Sequence, residues 1–460
     1  MLMYPFPVNS TRPLCESVTL EALGRVLPRE LVETVLQDTG AITPRVKKLD
    51  LVLTVFLVVA MSLFTRESQW HVLQILLHAL RALWPKEVTL PVRSASCYRR
   101  AQLGARPMAA LFHRVCQPMA TPQTHGAFLN DLRLMAIDGT VEDVRDTAAN
   151  VRAFGRWHND QGAVAYPQIR CVYLMEVGTH AVVDAGLWPI HVGEDRGAHR
   201  VTRSLTPGML VLWDQGLHSY ALIRRVRAQG AHVLGRVPPD VRVLAHTLLP
   251  DGSYLATLQP PNRGGVRGCP PLRVRLIEYV LPHPQDPHRD CRYRLVTTLL
   301  DWRTSPAACL AATYVERWEE EGMLDEMTVH QRLPHTPLRS KTPVGVVQEW
   351  YGLLLAHYAI RTVMHETALQ EDVDPDRVSF VHALRTVRLY LPDLQRAHPL
   401  QRAQVYQRLL DDVAAGLLPP RQGRHNPRLV KRRINRYSLR SPARLAAFKA
   451  NQPRYEAMLI

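Results

Sequence analysis

Residues 132–138 read Leu-Arg-Leu-Met-Ala-Ile-Asp, and residues 209–214 read Met-Leu-Val-Leu-Trp-Asp. Both stretches are short, mainly apolar and closed by an acidic residue, which is typical of buried strands in a sheet. In an open α/β sheet, ligands bind outside the carboxyl ends of the strands. The two stretches therefore predict that Asp138 and Asp214 lie side by side at such an edge.

A third acidic residue is predicted on a helix that spans residues 306–333. Ser305-Pro306 is a favourable helix start, and Gly322 is the one glycine that follows within this range. At about 100° per residue, one face of this helix carries a polar set, namely Tyr314, Arg317, Glu321, Asp325 and Thr328. Glu319 and Glu320 point elsewhere, so Glu321 is the helical acid that we expect at the site.

Three carboxylates of this kind indicate metal-dependent phosphoryl transfer. Mg²⁺ and Mn²⁺ prefer oxygen ligands, and a pair of such ions stabilises both the attacking and the leaving oxygen of a phosphodiester. We therefore expect Asp138, Asp214 and Glu321 to hold a pair of ions. The bound ions would activate water and then a DNA 3′-hydroxyl. Arg317 is placed to hold a backbone phosphate, and Tyr314 to pack on or bond to the sugar-phosphate chain.

Each of these residues also has a plainer interpretation. An Asp at a strand end is common, and Asp184 and Asp301 also follow apolar runs. A helical run of Glu residues usually forms a solvated face. The conjunction of chain order, strand context and the spacing of Tyr314, Arg317 and Glu321 is what favours a shared site.

These motifs resemble those of insertion-sequence transposases of the insertion element 4 family. Residues 136–140 are similar to the first-Asp motif of that family, and residues 209–216 to its second. Tyr314, Arg317 and Glu321 match its Tyr-x2-Arg-x3-Glu signature, although Thr328 stands where the family has a Lys. The resemblance covers about nine-tenths of the chain. It implies a ribonuclease H-like core whose Asp, Asp, Glu triad is catalytic.

The predicted order of elements is three strands, a helix, a strand, a helix and a strand, which places the core in the α/β class. Pro-rich and Gly-rich turns then punctuate short alternating segments, which predicts a β-rich insertion. We expect a helical amino-terminal domain for DNA-end binding or dimerisation and a basic carboxyl-terminal region around this core. The predicted boundaries are 1–123 (helical), 124–237 and 293–365 (ribonuclease H-like core), 238–292 (insertion) and 366–460 (basic region).

The charge of the chain favours a polyanion as partner. Its 460 residues carry a formal net charge of +16, which points to nucleic acid unless the proteome is generally rich in Arg. Residues 421–455 contain eleven Lys or Arg and no Asp or Glu. We expect this segment to bind phosphates of double-stranded DNA, through Arg428, Lys431, Arg432 and Arg433. The alternative is a basic tail with nonspecific attraction only.

Several other classes are not indicated. The seven cysteines are scattered without zinc spacing, which favours a reduced, cytosolic protein without zinc. No phosphate-binding loop for ATP occurs. The apolar stretch Leu51–Thr65 is shorter than the roughly 20 residues of a membrane span and predicts a buried helix. With no export signal at the start, we expect a cytoplasmic bacterial protein that associates with the nucleoid when bound to DNA.

The motifs and the resemblance together predict a DNA transposase that moves an insertion sequence by cut and paste. Its DNA partners would be the terminal inverted repeats of the element and the target. A homodimer is the natural unit because two element ends must be held together. Two alternatives stay open: a metal-dependent nuclease that does not join ends, and a noncatalytic DNA-binding protein derived from a transposase, which Thr328 makes conceivable.

Overall fold

The structure is a computed structural model. It describes residues 26–41, 49–83, 90–159, 162–261, 266–283 and 286–419. The basic segment 421–455, with the predicted DNA contacts Arg428, Lys431, Arg432 and Arg433, lies outside the described residues.

The described amino-terminal part is helical, as the sequence predicted. Its helices α1 to α5 span Arg29–Asp38, Leu51–Leu63, Gln69–Leu83, Arg93–Leu103 and Arg106–Val115. Every residue of α2 is buried, which confirms the buried helix expected from its apolar sequence. Asp50 caps α2, because its carboxylate accepts a hydrogen bond of 2.8 Å from the Leu53 amide. None of the helices in the described ranges has the length and apolar character needed to cross a membrane.

After the amino-terminal helices, the chain forms the core, which is a sheet whose strands are connected in part by helices. Its strands are β1 Phe128–Leu129, β2 Leu132–Asp143, β5 Gln168–Glu176, β6 Ala181–Pro189, β7 Met209–Trp213 and β8 His232–Arg236, and the small pair β3 His158–Asn159 and β4 Gly162–Ala163 stands apart. Its helices are α6 Ala148–Phe154, α7 Glu194–Val201 and α8 Tyr220–Ala228. β2, β5 and β6 are antiparallel, whereas β2, β7 and β8 are parallel. β2, β5, β6, α7, β7, α8 and β8 follow the predicted order of a ribonuclease H-like α/β core, whereas α6 and the pair β3–β4 were not predicted.

The β-rich insertion extends the same sheet. Its antiparallel strands are β9 Val243–Leu248, β10 Tyr254–Leu258, β11 Leu272–His283 and β12 Asp286–Thr297. β12 pairs with β8, so the predicted boundary after residue 292 falls within a strand. Arg275 is fully buried in β11 and donates hydrogen bonds of 2.7 Å to Ser253 Oγ and 2.6 Å to the backbone oxygen of Ser305. It thereby joins the insertion to the segment that begins the next helix.

The predicted single helix over residues 306–333 is interrupted. It consists of α9 Ala307–Val315, a 3₁₀ turn Glu316–Trp318, α10 Glu319–Asp325 and a π-helical turn Glu326–Gln331. A 3₁₀ turn is wound more tightly than an α-helix and a π turn more loosely. The side-chain directions therefore depart from the regular 100° spacing on both sides of Glu321.

Three more helices complete the described chain: α11 Pro343–Gln370, α12 Phe380–Arg396 and α13 Pro399–Ala414. α11 crosses α2 closely at Gly352, where an added Cβ would lie 2.9 Å from the backbone oxygen of Val58. The amino-terminal helices and the core therefore share buried surface. The first part of the predicted region 366–460 is helical up to residue 414.

Candidate active site

The two predicted aspartates lie on neighbouring parallel strands. β2 and β7 pair with Ala136 opposite Leu212, so Asp138 and Asp214 follow two residues later at equivalent positions. The prediction that Asp138 ends its strand is wrong, because β5 continues to pair with β2 as far as Asp143. β7 ends at Trp213. Asp138 therefore lies where β2 loses its β7 neighbour and one edge of the strand becomes accessible.

Electrostatic effects on Asp138 show which groups surround it. Burial raises the pKa of Asp138 from 3.8 to about 6, and the backbone amide of Gly139 opposes this rise. The carboxylates of Glu194 and Glu321 raise the pKa as well, whereas Arg317 lowers it. The structure thus brings Glu321 and Arg317 of the helix to the first predicted aspartate on the sheet. A carboxylate that is held in such surroundings is a typical feature of a functional site.

The Tyr and Arg of the third motif join its helix to the strand of Asp214. The Tyr314 hydroxyl donates a hydrogen bond of 3.3 Å to the backbone oxygen of Trp213, the last residue of β7. The guanidinium carbon of Arg317 lies 5.7 Å from the centre of the Tyr314 ring, and both side chains are buried. The DNA contacts predicted for Tyr314 and Arg317 stay predictions, and the contacts within the protein assign a positioning role to Tyr314.

The opposite side of the same helix is anchored by a buried ionic cluster. The Glu326 carboxylate contacts His180 Nδ1 at 3.1 Å, His357 Nε2 at 3.0 Å and Arg361 at 3.2 Å. His180 Nε2 lies 3.1 Å from Glu319. Burial and Arg361 lower the pKa of His180, but Glu326 and Glu319 outweigh them and raise it to about 9. A protonated His180 therefore donates from both ring nitrogens and holds Glu319 and Glu326 against the turn between β5 and β6.

This cluster also contains ligand atoms in a metal-like grouping. In the described part of the chain, His180, Glu319 and Asp376 form the group of three whose ligand atoms all lie within 4.8 Å of one another. The raised pKa of His180 accounts for them as a protonated imidazole between two carboxylates. In the described residues, the oxygens of Asp138, Asp214 and Glu321 do not form such a group.

Asp184 and Asp301, the other two aspartates that follow apolar runs, make structural contacts away from Asp138. Asp184 is fully buried, and Arg203 binds both of its oxygens at 2.8 Å. Such a bidentate ion pair inside the protein is a structural arrangement. Asp301 is exposed and accepts a hydrogen bond of 3.0 Å from the Arg303 amide in a turn. Neither residue lies beside Asp138.

A fourth carboxylate beside Asp138 was missed by sequence reasoning. Glu194 is the first residue of α7, and its Oε1 lies 2.6 Å from the position that a Cβ on Gly139 would occupy. Acidic residues in the first turn of a helix are common because they complement the helix dipole. The local signal in Gly193-Glu194 predicts a helix start. These two residues also fall where relatives of the resembling family have similar residues, but that resemblance assigned them no role in the site.

Comparisons with known proteins agree with this architecture. Residues 17–113 match the family model described as insertion element 4 transposase N-terminal, and residues 130–359 match the transposase DDE domain. A relative from Escherichia coli (strain K12), transposase InsG for insertion sequence element IS4, is 27% identical over 428 residues, which are 91% of this chain and 93% of the relative.

A solved structure, the piggyBac transposase synaptic complex with hairpin DNA, is 11% identical and covers 88% of this chain and 86% of that chain with a TM-score of 0.41. The DDE domain alone matches half of the chain, and it lies on the strands and the helix that carry the three predicted acids. The chain therefore belongs to the insertion element 4 family of DDE transposases and is a DNA transposase.

Proposed function

We propose that this transposase moves its element by cut and paste, with Asp138, Asp214 and Glu321 as catalytic residues and cation ligands. The observation that carries the proposal is the position of Asp138. It lies level with Asp214 on the neighbouring parallel strand and within electrostatic reach of Glu321. Both observations support a shared site of the three motifs at the edge of the sheet, where ligands of open α/β sheets bind.

The donor set fits the divalent cation that a DDE domain uses, and we assign Mg²⁺ or Mn²⁺. Carboxylate oxygens are the preferred ligands of both ions. The raised pKa of Asp138 fits as well, because a nearby dication favours the ionised form of a carboxylate that burial disfavours. When bound, a pair of such ions stabilises the attacking and the leaving oxygen of a phosphodiester.

The remaining side chains would position the DNA and the acids. Arg317 supplies a positive charge next to Asp138, where a phosphate of the scissile strand would lie. Tyr314 holds the helix of Glu321 against the end of β7 through its bond to Trp213. A misplacement of about 1 Å between reacting groups costs orders of magnitude in rate. The spacing of the family signature therefore serves to keep Glu321 in line with the two aspartates.

Joining two element ends to one target requires two active sites at a fixed separation, so we assign a homodimer as the unit that binds DNA. The terminal inverted repeats and the target would both be double-stranded DNA. The net charge of +16 supports such a partner. Arg428, Lys431, Arg432 and Arg433 remain the residues that we expect to add phosphate contacts.

The test replaces Asp138, Asp214 and Glu321 singly with Ala and measures cleavage of a labelled element end in Mg²⁺ or Mn²⁺. We expect each variant to lose cleavage and to keep its affinity for DNA in a gel-shift assay. Asp325→Ala is the matched control, because Asp325 is an exposed acid on the same helix as Glu321. Strand cleavage by Asp214→Ala at the wild-type rate would refute the assignment.

A target plasmid in the same reaction separates the two alternative activities. A transposase joins the labelled end to the plasmid, whereas a nuclease releases it and stops. The noncatalytic alternative rests on Thr328, whose hydroxyl donates a hydrogen bond of 2.7 Å to the backbone oxygen of Leu324. Because Thr is uncharged, position 328 offers no cation to DNA. Metal-dependent cleavage of any kind would exclude that alternative.

A further inference from the structure

Glu194 reaches the site from an element that carries none of the three family acids. It begins α7, which crosses from β6 to β7, and its carboxylate lies against Gly139, the residue after Asp138. The Gly139 amide interacts electrostatically with the carboxylates of both Glu194 and Asp138. Two carboxylates from distant parts of the chain therefore lie close to one residue.

The contacts of Glu194 contribute little to the stability of the fold, so stability does not explain its position. Arg170 lies 3.7 Å from one of its oxygens, which is too long for a hydrogen bond. The Glu194 side chain is 33% exposed, and ion pairs of this kind contribute little stability. The helix dipole does not require it either, because Asp195 provides an acid in the same turn. The Asp195 carboxylate points towards Gly193.

We propose that Glu194 is a fourth carboxylate ligand of the divalent-cation site. Residue 139 is glycine because any larger side chain there would occupy the space through which Glu194 reaches that site. This inference rests on the proposed function of Asp138, Asp214 and Glu321. The DDE domain supplies the independent reason to expect a cation there. Four carboxylates carry the charge that balances two divalent cations, whereas three leave one positive charge to the DNA.

The geometry at Gly139 gives the proposal a second, steric consequence. An added Cβ would lie 2.6 Å from Glu194 Oε1 and 2.8 Å from its carboxyl carbon. Contacts this short force either strand β2 or the Glu194 side chain to move. The flexible Glu194 side chain moves more easily than the paired strand. Gly139→Ala should therefore act by displacing the Glu194 carboxylate.

The first experiment measures Mn²⁺ binding to the full-length protein without DNA, by electron paramagnetic resonance of the free ion. We expect Glu194→Gln to raise the Kd for Mn²⁺ about tenfold, as is usual when a group that supports a metal site is lost. Asp195→Asn is the matched control, because it removes a negative charge from the neighbouring residue of the same helix turn. It should bind Mn²⁺ like the wild type.

Asp138→Asn separates this inference from the proposed function. If Asp138→Asn leaves Mn²⁺ binding unchanged, the site itself is wrong. If Asp138→Asn weakens binding but Glu194→Gln does not, the site stands and the fourth ligand is refuted. Equal effects of Glu194→Gln and Asp195→Asn would reduce Glu194 to a contribution of general charge and would overturn the proposal as well.

The second experiment is a double-mutant cycle with Gly139→Ala and Glu194→Gln, again with Mn²⁺ binding as the readout. We expect Gly139→Ala to weaken binding in the wild type and to have little further effect beside Glu194→Gln, because both changes remove the same ligand. Circular dichroism identifies any variant that fails to fold. Independent, additive losses in folded variants would show that Gly139 does not act through Glu194.

Discussion

Replacing Asp138 with Asn should stabilise the metal-free protein while it abolishes cleavage. Burial raises the pKa of Asp138 from 3.8 to about 6, so the folded chain prefers the neutral acid. Above pH 6 the carboxyl group is ionised in both the folded and the unfolded chain, and folding then carries the full penalty. Below pH 3.8 it is protonated in both, and the penalty vanishes.

The pKa difference sets the size of the effect. A change from 3.8 to about 6 corresponds to about 3 kcal/mol at pH 8. Asp138 is partly accessible to solvent, which reduces the value, so we expect a gain of roughly 1–2 kcal/mol for Asp138→Asn. About half of that gain should already be present at pH 5, because the penalty develops between the two pKa values.

The assay is urea unfolding in EDTA at pH 5 and pH 8, followed by tryptophan fluorescence. Asp131→Asn is the control, since Asp131 is an exposed acid in the turn before β2. Mn²⁺ should then raise the urea midpoint of the wild type more than that of Asp138→Asn, because only the wild type retains the full ligand set. A midpoint of Asp138→Asn at or below that of the wild type at pH 8, or a gain that does not change with pH, would refute this reasoning.

Three further changes test the supporting contacts. Tyr314→Phe removes the bond to Trp213 and should cost about 1 kcal/mol in urea unfolding and slow cleavage at unchanged DNA affinity; weakened DNA binding would instead favour the originally predicted DNA contact. Glu326→Gln removes the carboxylate that the buried Arg361 and His180 share and should destabilise the protein by about 3–5 kcal/mol; wild-type stability would contradict the anchoring role. Removing residues 421–455 should weaken DNA binding and flatten its dependence on salt by about 0.9 per lost phosphate contact, and an unchanged salt dependence would leave a nonspecific tail.

The order of elements and the identity of the family could be predicted from the sequence. Buried strands and amphipathic helices carry their periodicity locally, so β2, β5, β6, α7, β7, α8 and β8 occur in the predicted order. The family motifs gave the three acids for the same reason, since each motif is a short pattern of neighbouring residues. Hydrophobic length alone sufficed to predict α2 as a buried helix.

Other features depend on contacts between residues far apart in the chain. The continuation of β2 beyond Asp138 requires pairing with β5, and the interrupted helix around Glu321 accompanies the burial of Glu326 among cations from other elements. Glu194 looked like an ordinary helix start, and only the tertiary fold places its carboxylate against Gly139. Local patterns fix which residues form an element, but strand register and side-chain packing decide which charges meet, and here those charges form the candidate site.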